Sequence, residues 1–160
     1  MDGHSFGALL LLLTCLSLSA AQCVMGAATW GPCGEKDVPV TVKGVVVTPD
    51  PPVRGSAFSF ELPATSNRVI TGGYVKVFVF FHGVPVHLEE DDLCEKTSCP
   101  VQIGDFVFRN AQDLPGVTPP GPYMVKVSAF DENDEPLFCT KIRFMIVKRP
   151  RESGFLKAIL

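Results

Sequence analysis

An all-β fold, an antiparallel sandwich of two sheets of immunoglobulin-like type, is what this sequence predicts. Three observations carry that prediction. Apolar residues recur with period two in several runs rich in β-branched and aromatic residues, each bounded by Pro, Gly, Asn or Asp. Fourteen prolines and fourteen glycines in 160 residues imply many turns. No amphipathic helical window of useful length and no internal repeat is found.

The runs follow in order. "VPVTVKGVVVTP" (Val38–Pro49) alternates and then turns fully apolar. "SAFSFELPA" (Ser56–Ala64) sets Phe58, Phe60 and Leu62 against Ser59 and Glu61. "GYVKVFVFFHGVPVHL" (Gly73–Leu88) is the longest β-rich run, broken at Gly83 and Pro85, and apolar on both faces except for Lys76. "QIGDFVFRN" (Gln102–Asn110) is shorter. "PYMVKVSAFD" (Pro122–Asp131) and "LFCTKIRFMIV" (Leu137–Val147) are joined by "DENDEP" (Asp131–Pro136), which reads as a hairpin turn. In the last run Phe138, Thr140, Ile142, Phe144 and Ile146 share one face, and Cys139, Lys141, Arg143 and Met145 the other. Six or seven strands over roughly 120 residues fit a sandwich. The tryptophan that usually lies between two bridged immunoglobulin cysteines is missing, since the one tryptophan, Trp30, precedes Cys33.

The N-terminus sets the compartment. "GALLLLLTCLSLSAA" (Gly7–Ala21) is apolar but short for a bilayer span, and small residues follow it. Residues 1–28 are therefore expected to be a secretory signal peptide, cut between 21 and 28, with one domain at 29–147 and a tail at 148–160. A cut after Ala21 leaves five cysteines and a later one leaves four, which favours the later cut. In an oxidising compartment Cys33, Cys94, Cys99 and Cys139 form two disulfides, with three connectivities open. The Cys94/Cys99 spacing lies in the range of a zinc knuckle, with His82 and His87 upstream. No second CxxC accompanies it and secreted thiols are oxidised, so no metal is expected. A net charge of −3 and no nucleic-acid motif exclude that class of partner. No nucleophile elbow or acid–base pair stands out, so neither an enzyme nor a cofactor is expected.

Five stretches together carry a family resemblance: "VKGVVVTPDPPVRG" (Val42–Gly55), "FHGVPVH" (Phe81–His87), "DLCEKTSCPVQIGDFVF" (Asp92–Phe108), "LPGVTPPGPY" (Leu114–Tyr123) and "LFC" (Leu137–Cys139). Across about Thr29 to Val147 the chain resembles the ML (lipid-recognition) domain family, and within it most of all plant phosphatidylglycerol/phosphatidylinositol transfer proteins. The family includes the lysosomal sterol carrier deficient in one form of Niemann–Pick disease. The resemblance implies a two-sheet sandwich with a lipid pocket between the sheets, and the pairings Cys33–Cys139 and Cys94–Cys99. It implies a pocket mouth at Val86, Leu88, Leu114, Val117, Pro119 and Pro120, with Tyr123 beside them. Within the pocket it points to Val77, Val79, Phe81, Val125, Ile142 and Phe144. Where the animal sterol carriers have a third disulfide, this chain reads "TPDPPVRG" with no cysteine.

The expected function is to hold phosphatidylglycerol, phosphatidylinositol or a sterol between two β-sheets and to move or present it. The expected setting is the secretory pathway, outside the cell or in the vacuolar lumen, as a monomer in transient contact with a membrane surface. The alternative is an extracellular protein-interaction module with a filled core; a continuous Phe/Val-lined cavity favours the first and a solid core the second. "HLEEDDLCE" (His87–Glu95) reads as a solvated acidic loop. The tail, with Lys148, Arg149, Arg151 and Lys157, reads as disordered, as a contact for anionic head groups, or as a sorting signal.

Overall fold

The computed structural model describes residues 27–149. The apolar leader with Cys23, and the tail beyond Arg149, lie outside the described residues. Among the described residues, nine strands and one short helix follow in chain order: β1 (Thr29–Pro32), β2 (Val40–Val42), β3 (Val46–Thr48), β4 (Ala57–Ser66), β5 (Tyr74–Phe81), β6 (Val84–Asp92), α1 (Leu93–Lys96), β7 (Gly104–Asp113), β8 (Gly121–Phe130) and β9 (Pro136–Ile146). One sheet has the order β1-β9-β8-β5-β6. In the other, β4 pairs with β2 and β3 along one side and with β7 along the other. All these pairings are antiparallel, as the alternating pattern requires.

Local chemistry explains where the runs divide. Val38–Pro49 makes two strands because the ladder to β4 breaks between Val42 and Val46. Pro63 stands on β4 at that break, where its missing N–H costs no ladder bond, and its carbonyl accepts from Lys43 N at 2.8 Å. Gly73–Leu88 folds back on itself through His82-Gly83, with φ of 48° and 82°. Two successive positive φ angles are what a two-residue hairpin turn needs to match strand twist. Pro85 is tolerated because β6 is an edge strand. At the β8–β9 turn the Asp131 carboxylate accepts from the N–H groups of Asn133 (2.9 Å) and Glu135 (3.1 Å). Those bonds, with Arg68 at 2.7 Å, hold its carboxyl below the usual range.

Three features depart from the sequence reading. The acidic segment is not a solvated loop: His87–Asp92 is the second half of β6, paired to β5. β1 was not expected; it pairs with β9, opposite Thr140–Arg143. Asp92 caps α1 by accepting from Cys94 N at 2.6 Å.

A fully buried part of the core lies between the two sheets. Phe60, Leu62 and Phe108 meet Val75, Val127, Leu137, Phe138 and Ile142, each at most 3% exposed. Phe108 packs on Phe60 and edge-on to Phe138, with ring centroids 6.4 and 5.9 Å apart. Cys33 is bonded to Cys139, 106 residues away, and Cys94 to Cys99, 5 residues away. Cross-links act mainly by narrowing the unfolded ensemble, so the long loop stabilises more than the short one. Replacing both Cys33 and Cys139 by alanine is expected to lower unfolding free energy by about 5 kcal/mol, against about 2 kcal/mol for the Cys94/Cys99 pair. Urea unfolding of the two double variants checks this order.

Candidate functional site

The two sheets are joined unequally along their flanks. Just past β9, main-chain bonds join the chain to the segment before β4: Arg54 N donates to Val147 O at 3.0 Å, and Val147 N to Pro52 O at 2.9 Å. On the opposite flank the edge strands are β6 and β7, and no strand pairing joins them among the described residues. There the sheets diverge around a cavity of about 460 Å³.

The apolar wall comes from both sheets. Phe58 and Phe60 of β4 face Val77, Val79 and Phe81 of β5, with Val125, Phe144 and Ile146 behind. Leu114, Pro115, Thr118 and Pro119 close one end. That closing segment is tied down at several points. Leu114 exchanges main-chain bonds with Gly55 and Ser56 (2.9 and 3.1 Å), and Tyr123 Oη donates to Pro119 O at 3.0 Å. Tyr123 is 7% exposed and stacks near Phe81 and Phe144; burial raises its phenol pKa.

The open flank is polar. Gln112 Nε2 of β7 donates to Glu89 Oε2 of β6 at 2.7 Å, spanning the gap between the sheets. The Cys94–Cys99 turn delivers Lys96 into the same gap. Its ammonium lies 2.8 Å from Asp91 Oδ2 and 3.9 Å from Glu89 Oε1, and donates to Asn110 Oδ1 at 2.9 Å. Burial and a hydrogen bond with Asp91 push the Glu89 carboxyl above the usual range, although Lys96 opposes this. Burial also acts to raise Asp91, but its bonds to Lys96 and Glu89 prevail and hold it low. Inward-facing charge on an edge strand also discourages pairing with another chain.

Of the residues expected at a pocket, Val77, Val79, Phe81, Val86, Leu114, Pro119, Tyr123, Val125 and Phe144 line this cavity. Leu88, Val117, Pro120 and Ile142 do not. Leu88 pairs with Phe78 and faces outward, 56% exposed. The cause is a β-bulge: Val79 pairs with His87 and Phe80 with Pro85, leaving Val86 as the extra residue. Val86 and His87 therefore both reach the cavity and strict alternation with Leu88 fails. Val117 is 87% exposed at the outer tip of its loop, and Pro120 is exposed beside it. Ile142 is fully buried on β9, toward the closed flank where β2 covers that strand. Sequence reasoning missed Phe58, Phe60 and Ile146, although the period-two pattern put all three on core faces. It also missed the polar set Glu89, Asn110 and Gln112, of which Lys96 meets the first two and Gln112 bonds to Glu89. Cys94 and Cys99 are bonded to each other, which removes both sulfurs as metal ligands.

The ML domain family matches residues 27–146. A phosphatidylglycerol/phosphatidylinositol transfer protein of Candida albicans is 33% identical over 101 residues, covering 59% of this chain and 53% of that protein. One from Debaryomyces hansenii is 30% identical over 120 residues, covering 70% and 60%. The chain thus spans between half and two thirds of the length of these relatives. Among solved structures, a Niemann-Pick type C2 protein from Japanese carpenter ant superposes with a TM-score of 0.61 at 17% identity, over 74% of this chain and 99% of that one. Chicken MD-1 complexed with lipid IVa gives 0.53 at 16% identity, over 74% and 88%. At these identities the two structures establish likeness of fold.

The carboxyl pair has a definite pH signature. A group whose folded pKa is raised stabilises the fold below its ordinary value and loses that contribution as pH rises through the raised one. Glu89 behaves so, and Asp91 in the opposite sense. Glu89→Gln is therefore expected to reduce the loss of stability between mildly acidic and neutral pH, read from urea midpoints across that range. Lys96→Met leaves both carboxyls without their cation. It is expected to cost about 3 kcal/mol, the low end for breaking a buried pair, because each group keeps some water contact.

Proposed function

The chain belongs to the ML domain family, and from that premise we propose that it is a lipid-binding and lipid-transfer protein. It holds one lipid between its sheets and carries or presents it. The observation that supports this most is the cavity of about 460 Å³, lined by Phe58, Phe60, Val77, Val79, Phe81 and Phe144. A filled core would instead have favoured an interaction module. Each methylene buried contributes about 0.8 kcal/mol, enough in sum to offset removal of a hydrocarbon chain from a bilayer. Because the bilayer offers a similar gain, uptake is reversible and no bond need be broken; the reading is of a carrier, not an enzyme.

The names of the relatives suggest phosphatidylglycerol or phosphatidylinositol as cargo, and the fold likeness leaves a sterol equally open. The two disulfides support an oxidising compartment. We propose the secretory pathway, outside the cell or in a vacuolar lumen, with the protein acting as a monomer that touches membranes transiently. The expected domain is 29–147.

Native mass spectrometry of the purified protein with a lipid extract is expected to show one bound lipid per chain, and fluorescent lipid is expected to exchange between vesicles. Val79→Trp fills the cavity from β5 and is expected to lower exchange at least tenfold while leaving the melting temperature within a few degrees. Absence of both bound lipid and exchange in the unaltered protein would defeat the reading.

A further inference from the structure

Three cations on the outer face of the five-stranded sheet have no counterion among the described residues. Lys126 of β8 and Lys141 of β9 stand directly opposite each other in the ladder, and Arg143 follows two residues along β9. All three point away from the cavity, because the residues alternating with them, Val125, Val127, Ile142 and Phe144, are the buried ones. By strand geometry the three Cβ atoms fall within about 8 Å of one another. Like charges directly opposite destabilise a sheet, so the fold gains nothing from this arrangement. Five other cations are compensated: Lys43, Arg68, Lys76, Lys96 and Arg109 each meet a carboxylate at 2.7 to 3.5 Å. The carboxylates that border the outer face are engaged elsewhere. Glu90 pairs with Lys76, Asp92 caps α1, Asp134 accepts from Tyr74, and Asp50 accepts from Ala28 N. Glu35 lies within 4.8 Å of the Cys139 sulfur. None of these pairs with Lys126, Lys141 or Arg143 among the described residues.

Apolar side chains stand among the three charges. Phe78, whose ring centroid is 6.0 Å from Lys126 Nζ, and Phe80 are half-buried, and Met145 is 44% exposed. Leu88, opposite Phe78, carries this apolar surface on to β6, the edge strand of the open flank. The chain as a whole has a net charge of −3. Charges more than about 8 Å away are largely screened at physiological salt, so a partner meets the local positive surface. Clustered cations with apolar side chains between them match an anionic bilayer, whose head groups carry charge above accessible hydrocarbon. We propose that the outer face of β5, β8 and β9, centred on Lys126, Lys141 and Arg143, is the surface by which the chain docks on anionic membranes. The docking rests on the carrier reading above only for its partner; the contact is the broad side of a sheet rather than the exposed 114–119 segment. The β6 edge, and with it the open flank, then borders the membrane.

Flotation of the purified protein with vesicles tests this, comparing phosphatidylcholine alone with phosphatidylcholine mixed with phosphatidylserine. The unaltered protein is expected to bind the anionic vesicles, with affinity falling as salt rises, and the neutral ones far more weakly. Lys126→Gln/Lys141→Gln is expected to bind anionic vesicles about 25-fold more weakly, roughly fivefold for each cation, with a shallower salt dependence. Lys43→Gln/Arg109→Gln removes the same charge from the other sheet and is expected to change binding by no more than about twofold. Relief of the Lys126–Lys141 repulsion is expected to keep the urea midpoint of the first variant at or above that of the unaltered protein, so that lost binding is not lost fold. Met145→Ser is expected to weaken binding without altering its salt dependence. Equal losses in the two double variants overturn the proposal, as does loss of anionic-vesicle binding in Val117→Asp but not in Lys126→Gln/Lys141→Gln. Binding to neutral and anionic vesicles alike, or to neither, overturns it too. Failure of lipid binding and exchange with docking intact defeats the carrier reading and leaves the docking face standing.

Discussion

The open flank of this sandwich depends on the lack, among the described residues, of strand pairing between β6 and β7. Backbone hydrogen bonds tie β9 to the segment before β4, so that flank is shut. Among the described residues, the other flank has two edge strands bridged by side chains. Two sheets packed face to face normally keep about 10 Å between them and fill it. Where one edge is free to open, the space widens and a cavity remains. Lys96 bridges the opening. It sits on a turn clamped by Cys94–Cys99, pairs with carboxyls on β6 and reaches Asn110 on β7.

That arrangement gives a division of labour along the sandwich. Toward α1 the interior is closed by Leu62, Val75, Leu93 and Phe108, all at most 2% exposed. Toward the 114–119 segment, Phe58 and Phe144 meet across the sheets with ring centroids 5.8 Å apart, and the cavity opens beside them. The filled part supplies stability, and the open part supplies a place where hydrocarbon gains about as much as it would in a membrane. The reversible carriage proposed above rests on that balance.

Much of the fold was legible because period two is a local property. Alternation in "SAFSFELPA" and "LFCTKIRFMIV" identified β4 and β9 and the faces they bury. The Gly83 break marked the hairpin between β5 and β6, and "DENDEP" the turn before β9. The site was legible only as far as that alternation held. Val77, Val79, Phe81, Val125 and Phe144 follow it into the cavity. Leu88 does not, because one bulged residue between Phe80 and Val79's partner inverts the expected face. The acidic run misled for a related reason: charge suggests solvent, yet strand pairing to β5 turns Glu89 and Asp91 inward, where Lys96 compensates them.

By itself the sequence determined the fold class, most strand positions, the family and the residue types available for an apolar pocket. These depend on short-range periodicity and on motifs that remain recognisable in one dimension. Tertiary structure alone decided which flank opens, and that Ile142 is packed while Phe58 and Phe60 are lining. The physical reason is the same throughout. Each outcome depends on which strands end up at the sheet edges and on how Lys96 sits between β6 and β7, and strand order is not encoded in any local window.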